Sequence, residues 1–336
     1  MRKIIGLTLG LLLSSLLLFG CRETQPVKKM DEVTVQLKWV HQAQFAGFYW
    51  AQEKGYYARE NLKVYFKEGG QGIDSAQSVI SGEAAFGVIT PEDVLIKRSQ
   101  GATLTAIAAI YRRSAVVFVA MADSGIIRPS DFAGKTVAAA GAAGALRDFE
   151  FQFKVLIKKL KLDPSRIKLV TYDSEYADFY KGKVEVTAAY LTAGVIKMRQ
   201  KGYKLNIIWP GDYGVGFYSD TLVTNERVMT QRPELVTRFL RATLKGWQEA
   251  VGDPEAAAAI SLKYSRNKDL KFQLAMMEAL LPMVHTGEDQ IGWMKPEIWQ
   301  ELYQTMLEQG ILARNVDLEQ AYSLRFLKEI YRGRSK

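Results

Sequence analysis

The chain has 336 residues, 24% of them Asp, Glu, Lys or Arg and 48% apolar, with a formal charge of +9. That length and balance exclude a disordered or fibrous chain and suffice for two hydrophobic cores. Two histidines and one cysteine give no metal-ligand spacing. The basic residues are spread out, without a nucleic-acid motif, so the charge reads as solubility or attraction to an anionic membrane surface.

Arg2 and Lys3 form a positive segment, residues 4–19 an apolar one, and Leu18-Phe19-Gly20-Cys21 resembles a bacterial lipobox. Residues 1–20 are therefore expected to be a lipoprotein signal peptide cleaved before Cys21, which would carry the lipid. Residues 21–32 would be a polar tether. A transmembrane anchor is the competing reading, but the apolar run ends on a small residue and cysteine rather than on a basic stop. Cleavage would take the charge from +9 to +7 by removing Arg2 and Lys3. With its one cysteine acylated, the mature chain would have no disulfide and no thiolate nucleophile. The expected location is outside the cytoplasmic membrane, facing the periplasm or the cell exterior.

Residues 35–39 read as an alternating strand, followed by a turn with His41 and Gln44 and a helix from Phe45 that stops at Gly55. Side chains where a strand's carboxyl end meets a helix point into the ligand crevice of an open α/β sheet. Trp39, His41, Gln44 and Phe45 stand there, as a ligand surface or, for Trp39 and Phe45, as a core seal. Residues 61–67 form a second strand. The turn Gly69-Gly70-Gln71-Gly72 either presents backbone N–H groups to a ligand or is a tight turn. Residues 86–89 are a third strand, and Thr90-Pro91 opens a helix. Residues 103–110 and 115–121 follow as strands. The same grammar restarts with a strand at 136–140, the loop Gly141-Ala142-Ala143-Gly144 and a helix at 145–160, whose positive end favours oxygen or negative charge. Strands at 168–172, 184–190 and 205–209 complete the second unit, with helices at 175–180 and 193–201. After a strand at 217–224 the chain is helical: 233–251, 253–264, 270–281, 296–309 and 318–331.

Alternating strands and helices predict mostly parallel sheets. The closing helices would clothe the first lobe, leaving 115–121 and 217–224 as the strands that cross between lobes, an arrangement suited to hinge closure. There is no GxSxG elbow, P-loop or dinucleotide fingerprint. Asp173, Glu175 and Asp178 read as a solvated helix start, and His285 as exposed. Catalysis and a cofactor are not expected.

The segments LKWVHQAQFAGFYWAQEKGYYARENLKV, EGGQGIDSAQSVISGEAAFGV, GKTVAAAG, DYGVGFYSDTLVT and PELVTRFLRATLKGWQEAV resemble those of periplasmic solute-binding proteins of the thiamine-pyrimidine-precursor family. These are relatives of the sulfonate and taurine binders of ABC importers. The resemblance runs through residues 33–330 in order. It implies a two-lobed Venus-flytrap fold of the type II periplasmic-binding-protein class, a small heteroaromatic ligand between the lobes, and delivery to a permease with its ATPase. By position it implicates Trp39, His41, the glycine turn with Gly70 and Gln71, Thr90, Gly141 and Ala142, Tyr190, Tyr218 and Asp220. Two departures stand out. Leu191-Thr192-Ala193-Gly194 replaces the Asn-Glu-Pro-like segment of formylaminopyrimidine binders, and Val40-His41-Gln42 replaces their Pro-Asn segment; a flavin vitamin is left in play beside the pyrimidine. Fungal relatives that make the pyrimidine use a cysteine-rich motif that this chain lacks.

The expected organisation is lobe 1 at 33–118 and 221–331, and lobe 2 at 119–220. Trp39, Phe45, Tyr190 and Tyr218 are the expected stacking rings, and His41, Gln44, Thr90 and Asp220 the polar readers. The expected function is a lipid-anchored solute-binding component of an ABC importer for a thiamine-pyrimidine-precursor-like or riboflavin-like molecule. The alternatives are a pyrimidine-synthase-like enzyme and a ligand-sensing input module.

Overall fold

The computed structural model describes residues 29–332 apart from 71, 142–144 and 288. The leader, Cys21, Gln71 and Ala142 lie outside the described residues. Two five-stranded sheets form the frame. The first joins β1 (Asp31–Gln36), β2 (Leu62–Lys67), β3 (Phe86–Ile89), β4 (Leu104–Ala109) and β10 (Thr221–Asn225) in the order β2-β1-β3-β10-β4. The second joins β5 (Val116–Met121), β6 (Thr136–Ala140), β7 (Lys168–Thr171), β8 (Val186–Tyr190) and β9 (Leu205–Ile208) in the order β7-β6-β8-β5-β9. In each sheet three parallel strands are followed by an antiparallel one, β10 or β5, which carries a further antiparallel edge. Strands β3 and β4 read as continuous small and branched apolar runs and are buried along their whole length, as strands covered on both faces must be.

The expectation that the strands at 115–121 and 217–224 cross between the lobes is corrected. β5 lies wholly in the second sheet and β10 wholly in the first, and the second sheet starts at Val116, ahead of the expected boundary. The crossing is made by the irregular stretches 110–115 and 209–220, which pair with each other. The Ile110 and Tyr111 amides donate to the Asp220 carbonyl at 2.8 and 3.1 Å, and the Ser219 amide donates to the Tyr111 carbonyl at 3.0 Å. A short paired hinge leaves both sheets intact when the lobes move.

The C-terminal helices return to the first lobe because glycines let them approach. A Cβ on Gly246, in the helix Pro233–Gly252, would meet the Gly47 carbonyl oxygen at 2.2 Å, and one on Gly47, in the helix Ala46–Glu53, would meet the Trp247 indole at 2.2 Å. Phe239 from the same long helix stacks on Phe86 of β3 at 4.0 Å between ring centroids. The first helix begins at Ala46 after a 3-10 turn over Ala43–Phe45, and Gly55, with φ +69°, ends it as expected. The helix expected over 318–331 is broken into Leu318–Ala321 and Arg325–Arg332. Tyr322 bridges to Ala106, and the Ser323 amide donates to the Ala106 carbonyl, so this break covers the open edge of β4.

Candidate functional site

The carboxyl ends of β1, β3, β6, β7 and β8 face one another across the gap between the sheets, where an open α/β frame places its ligands. One wall comes from the loop after β1: Lys38, Trp39, Gln42 and Gln44. That loop is pinned by the Ala43 amide, which donates to Gln273 Oε1 at 2.7 Å, and by the Tyr111 hydroxyl, which donates to the Gln44 carbonyl at 3.3 Å. The facing wall is aromatic. Phe149 comes from the helix Ala145–Lys159, Tyr172, Ser174 and Tyr176 from the loop after β7, and Tyr190 from the end of β8. Thr192, Ala193, Gly194 and Lys197 close the rim. Phe149 lies 4.7 Å from Tyr172 and 5.1 Å from Tyr190 between centroids, and the Tyr172 hydroxyl donates to that of Tyr176 at 2.9 Å. Gly194 makes room for this wall, since a Cβ there would meet Tyr176 Oη at 2.1 Å.

A buried polar chain crosses the floor. Gln42 Nε2 donates to Gln44 Oε1 at 2.8 Å, Gln44 Nε2 donates to Asp220 Oδ2 at 2.7 Å, and Lys38 Nζ lies 2.8 Å from Asp220 Oδ1. From the other lobe, the Tyr190 hydroxyl donates to Asp148 Oδ2 at 2.8 Å and lies 3.5 Å from Lys38 Nζ; Asp148 Oδ1 accepts from Gln152 Nε2 at 2.7 Å. Burial opposes the charge on Lys38, yet Asp220 and then Asp148 hold its pKa above the ordinary lysine value. Burial pushes Asp148 up, against the pull of Lys38, and pushes the Tyr190 phenol well above its usual range. Glu92, also buried, has its carboxyl driven well above the ordinary range by desolvation and then by the charge of Asp148. Lys38 and Asp220 thus form an ion pair whose removal from water is offset only while both partners remain.

Trp39, Gln44, Asp220 and Tyr190 are brought together here. Other expected residues are placed elsewhere. Phe45 is fully buried in the first lobe's core and closed to the cleft, a correction that follows from the 3-10 turn swinging its ring inward. His41 does not line this cleft: it is half-buried, its Nδ1 lies 2.8 Å from the Tyr49 hydroxyl, its amide donates to Glu68, and burial holds its pKa below the ordinary value. Gly70 does not line this cleft; the adjacent Gly69 packs against the first strand's exit, where a Cβ would meet the Leu37 carbonyl at 2.2 Å. Thr90 and Gly141 line a neighbouring cavity with Glu92 and Asp148, and the Thr90 hydroxyl accepts the Asp93 amide as a helix cap. The Tyr218 hydroxyl accepts the Lys295 amide at 2.7 Å, and its ring lines a separate cavity beside Arg112. Asp173 caps the turn before Ala177, and His285 is exposed.

Lys38, Asp148, Phe149, Tyr172 and Tyr176 are residues of the cleft and its floor that sequence reasoning missed. The available signal was a lysine set between Leu37 and Trp39 at a strand exit, where strict alternation would have sent it to solvent. Among the described residues no group of three or more His, Cys, Asp or Glu side chains is placed to hold a metal ion. No helix among them is long and apolar enough to cross a membrane.

Comparison with known proteins gives a family model described as NMT1/THI5 like, which matches residues 42–257. The chain is 25% identical to the riboflavin-binding protein RibY of Chloroflexus aurantiacus over 97% of this chain and 99% of that one. It is 24% identical to the formylaminopyrimidine-binding protein of Halalkalibacterium halodurans over 94% and 97%. It is 22% identical to the 4-amino-5-hydroxymethyl-2-methylpyrimidine phosphate synthase of Legionella pneumophila over 89% and 93%. Among solved structures, the periplasmic aliphatic sulphonate binding protein SsuA of Escherichia coli superposes with a TM-score of 0.70 at 14% identity, covering 86% of this chain and 91% of that one. The fold is that of the periplasmic binding proteins.

Proposed function

The chain belongs to the NMT1/THI5-like family, and from that premise we propose that it is the solute-binding component of an ABC importer, capturing a small heteroaromatic ligand between its lobes. The observation that carries this reading is the cleft with Trp39 on one side and Phe149, Tyr172, Tyr176 and Tyr190 on the other, above a buried floor of Lys38, Gln44 and Asp220. Rings facing from both walls suit a flat guest, each contact adding roughly 0.5–1.5 kcal/mol beyond area burial. The floor offers the guest's edge both donors and acceptors, which a purely apolar slot would not. The cleft encloses about 110 Å³, below the roughly 300–1,000 Å³ of drug-sized ligand sites. Ligand entry therefore requires the lobes to part about the paired hinge.

The names of two relatives, a riboflavin binder and a formylaminopyrimidine binder, support a vitamin-like ring as cargo. The lipobox-like Leu18-Phe19-Gly20-Cys21 supports a lipid anchor on Cys21 and a location outside the cytoplasmic membrane. Delivery would be to a permease and its ATPase. The test is thermal shift of the full chain in detergent against riboflavin, formylaminopyrimidine and an alkanesulfonate. One of the ring compounds at one hundred times its dissociation constant should stabilise by about 2.7 kcal/mol. Stabilisation by the sulfonate alone would overturn the heteroaromatic reading, and turnover of a ring compound would replace the carrier with an enzyme.

A further inference from the structure

Behind the aromatic cleft lies a second cavity of about 330 Å³ whose lining includes Thr90, Glu92, Gly141, Asp148, Phe151 and Met306. Tyr190 stands in the wall of the first and Asp148 in the wall of the second, and a hydrogen bond of 2.8 Å joins the two residues.

The chemistry of the second cavity is lopsided. Glu92 is 3% exposed, and among the described residues no other residue hydrogen-bonds its carboxyl oxygens, although its own backbone amide lies beside them. The Lys38 ammonium is already engaged by Asp220 at 2.8 Å. A carboxyl taken out of water without a partner costs several kcal/mol, and helix propensity gives no reason for it, since an alanine would serve in the first turn. Its position after Thr90-Pro91 satisfies the helix dipole from a site where solvent would do as well. A carboxyl held there is explained by a guest that brings hydrogen-bond donors. Burial and the neighbouring Asp148 push the Glu92 carboxyl up, so it holds its proton more readily and offers a guest an O–H donor beside a carbonyl acceptor.

We propose that the cavity around Glu92 is a subsite for a side arm of the ligand bearing hydroxyl or amine hydrogen-bond donors, while the ligand's flat ring lies between Trp39 and the tyrosine wall. This rests on the heteroaromatic reading above and narrows it to ring compounds with an arm. Entry of the arm exchanges the Tyr190–Asp148 contact for contacts of both groups with the ligand, and Glu92 gains a partner beyond its own backbone. Pairing a buried carboxyl that otherwise goes unsatisfied recovers the cost of its desolvation, so an arm read by Glu92 should improve affinity about tenfold over the bare ring.

The experiment is calorimetric titration of the full chain in detergent with two matched pairs of probes. Riboflavin is compared with lumichrome, the related ring system without the hydroxylated arm, and 4-amino-5-aminomethyl-2-methylpyrimidine with 4-amino-2,5-dimethylpyrimidine. The wild type should bind one arm-bearing probe at least tenfold more tightly than its partner, and the pair that shows the difference tells hydroxyl from amine. Glu92→Leu should bring that probe down to the level of the bare ring and leave the bare ring within twofold. Because removing a buried, unpartnered carboxyl should not unfold the chain, its melting temperature serves as the control; Glu92→Gln is the second variant should it fall. Equal binding of armed and bare rings, or equal losses for both in the variant, would overturn the subsite while leaving the ring reading in place. Failure of all four probes to bind would overturn both.

Discussion

The two walls of the cleft are built on matching frames and do opposite things. Each sheet places three parallel strands beside an antiparallel strand and an antiparallel edge, yet the first lobe contributes charge and amides beside the ring of Trp39, from Lys38 to Gln44 backed by Asp220, whereas the second contributes mostly rings, from Phe149 to Tyr190. The topology fixes where side chains emerge. The loops after the strands decide what emerges, so specificity can change without disturbing either core.

The sharpest way to break the first wall is Lys38→Met, which strands Asp220 in the interior. Losing one member of a buried pair costs about 3–5 kcal/mol; urea denaturation should show that loss, and adding Asp220→Asn should recover part of it. Next is Trp39→Ala, expected to abolish ligand-induced stabilisation, about 2.7 kcal/mol at one hundred times the dissociation constant. The ring is only partly buried, so the ligand-free melting point should change little, and unfolding instead would return Trp39 to the core. The second wall is tested by Gly194→Ala. The new methyl meets Tyr176 Oη, and overpacking of this kind costs about 1–3 kcal/mol, so a loss of stability with weaker ring binding is expected, while unchanged behaviour would show the wall to be yielding.

The pH response reads the buried acids of both lobes together. Glu92 and Asp148 have raised pKa values, so the folded chain keeps protons that the unfolded chain releases in the ordinary carboxylate range. Stability should therefore fall as pH climbs from that range toward their raised values, by at most about 1.4 kcal/mol per pH unit for each group. Lys38, also raised, contributes stability that is lost only in alkali, outside this window. Asp93, Lys38 and Tyr190 also act on these two carboxyls or stand beside them. Thermal melts between pH 4 and 8 should show the decline, and Glu92→Leu should flatten it. The smallest effect belongs to the exposed pairs that tie the helix Ala145–Lys159 to the helix Pro296–Glu308, Lys158 with Glu308 at 2.9 Å and Lys159 with Glu301 at 3.0 Å. Charge reversal at Lys158 should shift stability by no more than about 1 kcal/mol, and the shift should vanish at high salt.

Much of the frame was legible in the chain because strand and helix periods alternate cleanly and Gly55 and Pro91 punctuate them. The crossing was misplaced because apolar runs such as 116–121 read the same whether they span two lobes or lie at the centre of one sheet. At the site, Trp39 and Tyr190 were visible as aromatics at strand exits. Lys38 was hidden by alternation, which assigns a lysine beside Leu37 to water. Glu92 and Asp148 were hidden because an acid in a helix's first turn has an ordinary explanation in the dipole, and what sets them apart is burial, which no local pattern encodes. Phe45 misled in the other direction, its ring committed inward by a turn too short to be seen in the sequence.

The interleaving of the sheets also dictates an order of assembly. The strands of the second sheet, from Val116 to Ile208, are contiguous in the chain, whereas the first sheet lacks the strand between β3 and β4 until Thr221–Asn225 has been made. The amino-terminal half must therefore wait with two unpaired strand borders exposed while its younger partner can already close. A chain stopped before residue 221 should yield a finished second half attached to an adhesive, incomplete first one.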